Sequence, residues 1–384
     1  MDPLQAAFIY SDALWQEGFG EDHPMKPERL KRTHDLLAAY GAFAPQNVRL
    51  VPPEPATRRE LCLFHTPQYV DAVARMSKGE GLEEAGRYGF SPDETPVFPG
   101  MYPIEALKAG GALTAARLLM EEEMDVAFNV AGGLHHARAD RAAGFCIFND
   151  PAIAIHWLLQ RGLRVAYVDI DAHHGDGVQE AFYDTDQVLT ISLHQAGILF
   201  YPGTGFPDEL GTGDGHGYTI NVPFQVYTGD ELYLWAFREI VPPLVRQFAP
   251  DVLVTQLGID THYRDPLPLL QLTTHGYAAL VEHFRELAEE IGPWLALGGG
   301  GYALEVVPRA WTLAFGVMSG QTFANELPAA YAERYEPGAL HDAERPAPPA
   351  ENVQRKIRSY AQEVVSTLKS STQAIWRWDD RSDD

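Results

Sequence analysis

The sequence is poor in cysteine and has no long apolar run. Only Cys62 and Cys146 occur among its 384 residues, too few for a disulfide framework or a cysteine-rich zinc site. A reduced, cytoplasmic setting is therefore the default expectation. No segment approaches the roughly 20 apolar residues that span a bilayer. The first residues, Met-Asp-Pro-Leu-Gln, also lack the basic and apolar regions of a secretory signal. We therefore expect no membrane partner.

Basic residues are scarce relative to acidic ones. The chain has 29 Lys and Arg against 53 Asp and Glu, a formal net charge of −24. Because Lys and Arg bind nucleic-acid phosphates by displacing counterions, this balance argues against a nucleic-acid partner. It is compatible with a cationic partner such as a Lys-rich peptide, and equally with an acidic surface that only keeps the protein in solution.

Short apolar runs alternate with helical patterns along the chain. The runs that are typical of buried parallel strands lie at 126–130, 165–168, 188–191, 252–255 and 294–297. The helical patterns between them lie at 151–160, 229–248 and 274–291. We expect another helix after the Pro-rich loop 344–350, and fraying of the acidic end 379–384. This alternation predicts an α/β fold with a largely parallel central sheet flanked by helices.

Reactive side chains follow four of these strands where each strand ends. They are His135 and His136, then Asp169, Asp171, His173 and Asp176, then Asp260, and finally Tyr302 after four glycines. Open α/β sheets bind ligands at the carboxyl ends of their strands. The sequence therefore predicts that these side chains meet in one pocket.

Asp171 and His173 are the first candidates for metal ligands. They lie two residues apart at a strand end, so their side chains point to the same side, and Asp260 would supply a third ligand. Three oxygen and nitrogen ligands leave a coordination position open, as a catalytic zinc requires. An Asp-x-His pair alone is more often a chance pair that forms a structural hydrogen bond. The neighbouring acidic residues, the His pair and the Gly run favour the metal site.

The remaining residues of the pocket suit acid–base chemistry. His135 and His136 follow two glycines, which allow the sharp bend that places both rings in a cleft. Two histidines need two partners to fix their tautomers, and Asp169 and Asp176 are the nearby acidic residues not used as ligands. Such pairs suit general acid and base catalysis. Tyr302 could donate a hydrogen bond to an oxyanion, although the Gly-rich segment could also be a plain loop.

A binuclear, arginase-like hydrolase is one alternative, because it shares this kind of sheet and an Asp-Ala-His sequence. Its second metal needs an Asp two residues after the His and an Asp-x-Asp on the later strand. Gly175 and His262 occupy those positions here, so one metal is the better count. A nucleotide-binding loop is disfavoured because no GxGxxG or P-loop pattern is present.

Six segments resemble the class I histone deacetylase family, and in particular its bacterial branch, the acetoin-utilisation deacetylases. They are HPMKPER at 23–29, GGLHH at 132–136, GFC at 144–146, DIDAHHGDG at 169–177, YPGTG at 201–205 and GGGGY at 298–302. The resemblance runs from about residue 8 to 318. It implies a three-layer arginase–deacetylase fold in a single deacetylase domain over 1–384, with 320–384 as its helical C-terminal extension. It also implies metal-dependent hydrolysis of N-acetyl-lysine, in an acetylated protein or peptide, to lysine and acetate.

The resemblance further implies how a substrate is held. Gly144, Phe145 and Tyr201 would line the narrow tunnel that receives the acyl-lysine stem, and Leu267 would close its wall. Tyr201 stands where the family usually has Phe, which would change the polarity of that wall. Asp93 is similar to the rim carboxylate that hydrogen-bonds the substrate backbone.

Ions are implied in the same way. The resemblance implies a catalytic Zn²⁺, with Fe²⁺ possible because the same ligand types suit both metals, and structural K⁺. One potassium site would use Asp169, Asp171, His173, Ser192 and Leu193. A second would use Phe182, Thr185, Val188 and Tyr218. Arg29 resembles the residue that guards an internal exit for acetate.

Two functional alternatives stay open. An acetylpolyamine amidohydrolase would perform the same chemistry on a small cation; such enzymes tend to need an insertion or a dimer that narrows the entrance, and no obvious insertion is present. A non-catalytic acetyl-lysine reader with this fold is the second alternative. Every catalytic position carries a competent residue, which argues against it.

Overall fold

A computed structural model describes residues 4–121 and 124–378, so the fraying predicted for 379–384 lies outside the described residues. The described residues form one sheet of eight strands. The strands are β1 Ala6–Ile9, β2 Val48–Val51, β3 Val126–Asn129, β4 Val165–Asp169, β5 Val188–Gln195, β6 Thr219–Phe224, β7 Val252–Gln256 and β8 Trp294–Leu297. Their order is β2-β1-β3-β8-β7-β4-β5-β6, and all neighbours are parallel.

Helices connect the strands, as parallel crossovers require. They are α1 Glu28–Ala39, α2 Arg58–Leu61, α3 Pro67–Met76, α4 Met101–Glu121, α5 Asp150–Leu159, α6 Asp176–Ala181, α7 Asp230–Phe248, α8 Thr274–Ile291, α9 Val307–Ser319, α10 Ala329–Ala332 and α11 Glu351–Thr372. Short 3₁₀ helices lie at Asp12–Trp15, Leu82–Tyr88 and Gly213–Gly215.

The sheet separates two apolar clusters, which gives the three layers. In β1, Ala6 and Phe8 pack into one cluster and Ala7 and Ile9 into the other, because successive side chains of a strand point to opposite faces. The first cluster is completed by side chains of α1, α7, α8, α9 and α11, and the second by those of α3, α4 and α5. This arrangement confirms the predicted α/β fold with helices on both faces of a parallel sheet.

All five predicted strands and the predicted helices are present, with bounds that differ by a few residues. The strands β1, β2 and β6 were not predicted. β2 is an edge strand with Arg49 and Leu50 exposed, and β6 is the opposite edge strand and contains Pro223. Proline and exposed polar residues are typical of sheet edges, and they weaken the apolar signal that identifies a strand.

The topology places the four reactive segments side by side. β3, β8, β7 and β4 are consecutive neighbours in the sheet, and their last residues pair in register: Asn129 with Leu297, Leu297 with Gln256, and Gln256 with Asp169. The segments that follow these strands therefore start at the same level along one edge, as the sequence predicted.

The segment after α9 packs onto the same core. Val364, Val365 and Leu368 of α11 are buried in the first apolar cluster, and the indole N–H of Trp376 donates to the Gly217 carbonyl at 2.7 Å. α11 lies against β6 and α7. Within residues 4–121 and 124–378, no helix combines the length and apolar character needed to cross a membrane.

Candidate metal centre and catalytic site

Asp171, His173 and Asp260 converge at the carboxyl ends of β4 and β7, and all three are buried. One donor atom from each lies within 4.8 Å of the others. The Nδ1 atom of His173 is 2.8 Å from Asp260 Oδ2 and 3.2 Å from Asp171 Oδ1. Among the described residues, no second group of three His, Cys, Asp or Glu side chains has this spacing. The structure thus brings together the three residues predicted as ligands.

Hydrogen bonds from the protein hold both carboxylates, and the His173 N–H donates to Asp171 Oδ1 at 3.0 Å. Asp171 Oδ2 accepts hydrogen bonds from Gln256 Nε2 and the Gly300 N–H, both at 2.7 Å. Asp260 Oδ1 accepts from the Ala172 N–H at 2.8 Å. Asp171 Oδ1 and Asp260 Oδ2 are the atoms that face His173. Sequence reasoning missed Gln256, whose only signal was its position at the end of β7.

The space between the two carboxylates favours positive charge. Burial disfavours a charged ring at His173, but its contacts with Asp171 and Asp260 outweigh burial and raise its pKa to about 10. Burial and the neighbouring Asp171 raise the pKa of Asp260 to about 6. A Cβ atom at Gly300 would lie 2.5 Å from Asp260 Oδ2 and 2.7 Å from Asp171 Oδ2, so only glycine fits there. The oxygen and nitrogen donors, their charge and their spacing fit a divalent metal ion.

The two predicted His–Asp pairs form beside this centre. The Nδ1 of His135 lies 2.7 Å from Asp169 Oδ2, and the Nδ1 of His136 lies 2.7 Å from Asp176 Oδ1. Because an ionised carboxylate only accepts hydrogen bonds, each Nδ1 donates and each Nε2 points toward the pocket. Asp176 also forms an ion pair with Arg138 at 3.0 Å.

The two rings differ in their affinity for a proton. Their Nε2 atoms are 3.0 Å apart. Burial and the charge of His135 lower the pKa of His136 to about 4. Burial also opposes charge on His135, but Asp169 and Asp171 outweigh it and raise that pKa to about 9. At neutral pH the two Nε2 atoms therefore hold one proton between them, in addition to the proton on each Nδ1.

The bend that carries both histidines is fixed by the start of α5. The Asp150 carboxylate accepts from the N–H groups of Gly133 and Leu134, at 3.1 and 2.9 Å. The Asn149 side chain donates to the carbonyls of His135 and Ala137, at 3.2 and 2.8 Å. Sequence reasoning missed Asn149 and Asp150. The signal that could have found them is the Asn-Asp-Pro sequence, an N-cap followed by a first-turn proline.

Tyr302 follows β8 and the four glycines and reaches the same pocket. Its N–H donates to Asp265 Oδ2 at 2.8 Å, and its ring meets the Phe145 ring edge-on with centroids 5.8 Å apart. Burial, followed by the charges of Asp260 and Asp171, raises the pKa of the phenol well above its ordinary value. The phenol therefore keeps its proton and can donate a hydrogen bond. Buried Arg29 donates to the carbonyl of Gly301, the residue before Tyr302, at 3.0 Å.

Three of the residues predicted to line the tunnel, Gly144, Phe145 and Tyr201, lie close to His136 or Tyr302. Gly144 and Phe145 have φ values of 53° and 66°, the left-handed region that side chains rarely adopt. The Tyr201 ring stands edge-on to His136 at 5.0 Å and is 38% exposed. Sequence reasoning missed Phe200, whose ring stacks on His173 at 4.8 Å. Nothing in the sequence distinguished it from its neighbours.

Two further predicted residues lie nearer the surface. Leu267 is exposed, and its N–H donates to Asp265 Oδ1 at 3.1 Å, which links it to the carboxylate that holds Tyr302. Asp93 is exposed. The adjacent Glu94 was not predicted, and its carboxylate accepts from the Gly144 N–H at 2.7 Å.

Comparison with known proteins agrees with this geometry. A family model described as the histone deacetylase domain matches residues 23–318. The acetoin utilization protein AcuC of Bacillus subtilis is 41% identical over 328 residues, 84% of either chain. An AcuC of Staphylococcus aureus is 41% identical over 81% of either chain. The histone deacetylase RPD3 of Saccharomyces cerevisiae is 36% identical over 87% of this chain and 76% of its own.

Proposed function

The chain belongs to the histone deacetylase family, and we propose that it hydrolyses N-ε-acetyl-lysine in proteins or peptides to lysine and acetate. The observation that carries the proposal is the convergence of two His–Asp pairs on a buried metal-ligand set, next to a protonated tyrosine. Amide hydrolysis needs these three components: an electrophile for the carbonyl, groups that move protons, and a donor for the oxyanion.

We assign the metal centre to Asp171, His173 and Asp260, with Zn²⁺ as the metal and Fe²⁺ as an alternative for the same ligands. A divalent metal held there would polarise the acetyl carbonyl and lower the pKa of a water. The exclusively oxygen and nitrogen donor set and the positive charge that it stabilises support this assignment.

The histidines move the protons of the reaction. His135 and His136 accept the proton of the attacking water as its oxygen bonds to the carbonyl carbon. They return a proton to the lysine nitrogen as the C–N bond breaks, so the amine leaves neutral. Asp169 and Asp176 hold the rings in the tautomer that presents Nε2 to the substrate. The 3.0 Å gap between the rings allows one proton to serve both.

Tyr302 stabilises the charge that develops on the carbonyl oxygen. Its phenol keeps its proton beside Asp171 and Asp260, and its backbone is fixed by Asp265. A donor held in place before the reaction loses little free energy to reorganisation.

The acyl-lysine stem is proposed to pass between aromatic and apolar walls. Gly144 and Phe145 form one side, Tyr201 the other, and Leu267 the outer edge. The edge-on contacts of Phe145 with Tyr302 and of Tyr201 with His136 support these positions. Asp93 is proposed as the rim carboxylate that binds the substrate backbone, which its exposure allows.

Structural potassium is also proposed, at the two positions that the family resemblance implies. Ser192 and Leu193 of β5 lie beside the end of β4, where Asp169 pairs with Ser192. This adjacency supports the first site, which would also use Asp171 and His173. The second site would use Phe182, Thr185, Val188 and Tyr218.

An acetyl-lysine peptide assay tests the proposal. Turnover of a fluorogenic acetyl-lysine peptide should be lost on treatment with a chelator and restored by adding Zn²⁺ or Fe²⁺. Acetylspermidine serves as the comparison substrate. Turnover of acetylspermidine but not of the peptide would show a polyamine amidohydrolase, and metal-restored protein that turns over neither substrate would contradict the proposed hydrolysis.

A further inference from the structure

A group of exposed apolar side chains lies beside the proposed substrate tunnel. Ile198 is 76% exposed, Leu199 is fully exposed, Leu269 is 52% exposed and Tyr227 is 41% exposed. Single exposed apolar residues are ordinary, but contiguous ones mark interaction sites. These four residues belong to loops that follow β5, β6 and β7, on the sheet edge that carries the metal centre.

The stretches of these loops that carry the four residues contain no charged side chain. The segments 195–207, 219–229 and 266–274 contain no Asp, Glu, Lys or Arg, in a chain in which 21% of residues are charged. The loop on the Phe145 side of the tunnel differs, because it presents the carboxylates of Asp93 and Glu94. The entrance is thus apolar on one side and acidic on the other.

Hydrogen bonds of the backbone and of the Gln195 side chain join the three uncharged stretches. The Leu269 N–H donates to Gln195 Oε1 at 2.6 Å, and the Tyr227 N–H donates to the Leu269 carbonyl at 2.7 Å. The Ala196 N–H donates to the Phe224 carbonyl at 2.7 Å. These contacts tie the ends of β5 and β6 to the loop after β7, so the exposed side chains stand on a fixed base.

Along the chain, this surface adjoins the residues that we assign to the tunnel wall. Tyr201 and Leu267, which we assign to that wall, lie two residues from Leu199 and Leu269 along the same loops. When a lysine of a polypeptide enters the tunnel, the residues on either side of that lysine lie on the tunnel rim. In an extended chain, successive residues are about 3.3 Å apart. A residue placed over these uncharged stretches is favoured if it is apolar, because a charge there would lose water without gaining a partner.

We propose that Ile198, Leu199, Tyr227 and Leu269 form an apolar shelf that binds a large apolar side chain flanking the acetylated lysine of an extended polypeptide. This inference rests on the proposed function and names the substrate class that it selects. The shelf contributes to substrate binding and not to the chemical step, so it acts on KM.

Matched substrates test the shelf. Two acetyl-lysine peptides that differ only in one flanking residue, Leu or Ser, are compared with an acetyl-lysine amide that has no flanking residues. For the wild type we expect a KM roughly three- to tenfold lower for the Leu peptide. The double variant Leu199→Ser, Leu269→Ser should bind both peptides equally, with turnover of the amide unchanged. Leu82→Ser, at a residue outside the shelf that is 50% exposed, should keep the preference.

The outcomes separate the two proposals. Turnover of the amide together with equal KM values for the Leu and Ser peptides would overturn the shelf and leave the deacetylase proposal intact. A preference that survives the double substitution would overturn it as well. If the wild type is a dimer in solution and the double variant is a monomer, the surface joins two copies of the chain and the shelf is wrong. If none of the three substrates is turned over, the proposed function is wrong, and so is the shelf.

Discussion

The Nε2 atoms of His135 and His136 lie 3.0 Å apart, and each ring is held from behind by its own carboxylate at 2.7 Å. One ring has a raised pKa and the other a lowered one. The Nε2 atom of His135 therefore carries a proton and that of His136 does not, and both nitrogens face the same pocket. This arrangement would let the pair accept a proton at one stage of the proposed hydrolysis and deliver one at the next.

Replacing either ring should therefore lower kcat nearly as much as replacing both. His135→Ala and His136→Ala should each lower kcat by about 10²- to 10⁴-fold, the range for loss of a general acid or base. The double variant should be little slower than the worse single variant, because residues that act as a unit are not additive. Steady-state kinetics with metal content determined in parallel checks this. If the fold-reduction in kcat of the double variant equals the product of the two single reductions, the rings do not act as a unit.

Tyr302→Phe removes only the phenol oxygen. Because that oxygen is the proposed donor to the oxyanion, kcat should fall by about 10²- to 10³-fold while the metal content stays the same. The control is Tyr263→Phe, since the Tyr263 hydroxyl accepts from Arg264 at the surface and should not affect turnover. Undiminished activity of Tyr302→Phe would show that another group stabilises the oxyanion.

Asp260→Ala should abolish stoichiometric metal binding, because the site would keep only two of its three protein ligands. Asp265→Ala is the matched control: Asp265 holds the N–H groups of Tyr302 and Leu267 but is not one of the ligand set. This variant should retain metal and lose turnover. Metal analysis of both purified variants decides the point, and full metal occupancy in Asp260→Ala would refute the ligand set.

The candidate ligands and the His–Asp pairs were predictable because they follow strand ends at recognisable spacing. Asp171 and His173 lie on one strand end, and parallel topology brings Asp260 to the same edge. Gln256 and Phe200 were not predictable, since their roles depend on which atoms they meet in three dimensions. The edge strand β6 escaped prediction because Pro223 and polar residues interrupt its apolar pattern.

Glu94 and Asp93 should have separable effects, although they are adjacent. The Glu94 carboxylate and the Thr95 hydroxyl accept from the N–H groups of Gly144 and Phe145, which holds that wall in its left-handed conformation. Glu94→Ala should lower kcat/KM by about ten- to a hundredfold even for a small acetyl-lysine substrate, and Glu94→Gln, which keeps an acceptor, should restore most of it. Asp93→Ala should raise KM only for peptides. Equal effects on both substrate types would contradict its role at the rim.

Asp342 joins the loop after α10 to the start of α8 and to α9. Its side chain is nearly fully buried and accepts from His262 Nε2 and the Thr274 N–H, both at 2.8 Å, and it pairs with Arg309 at 3.0 Å. Burial acts to raise the pKa of this carboxyl, but the hydrogen bond from His262 and the other contacts outweigh it and hold the pKa well below its ordinary value of 3.8.

A depressed carboxyl pKa contributes stability above the unfolded-state value, and that contribution is lost as the pH falls through the folded-state value. At pH 7, Asp342→Asn should lower the free energy of unfolding by about 3 kcal/mol, as expected when a buried ion pair loses one partner. The difference between wild type and variant should stay constant above about pH 5 and shrink below about pH 4. Urea unfolding at a series of pH values measures it, and a difference that persists unchanged at pH 3 would show that the charge of Asp342 is not what stabilises this junction.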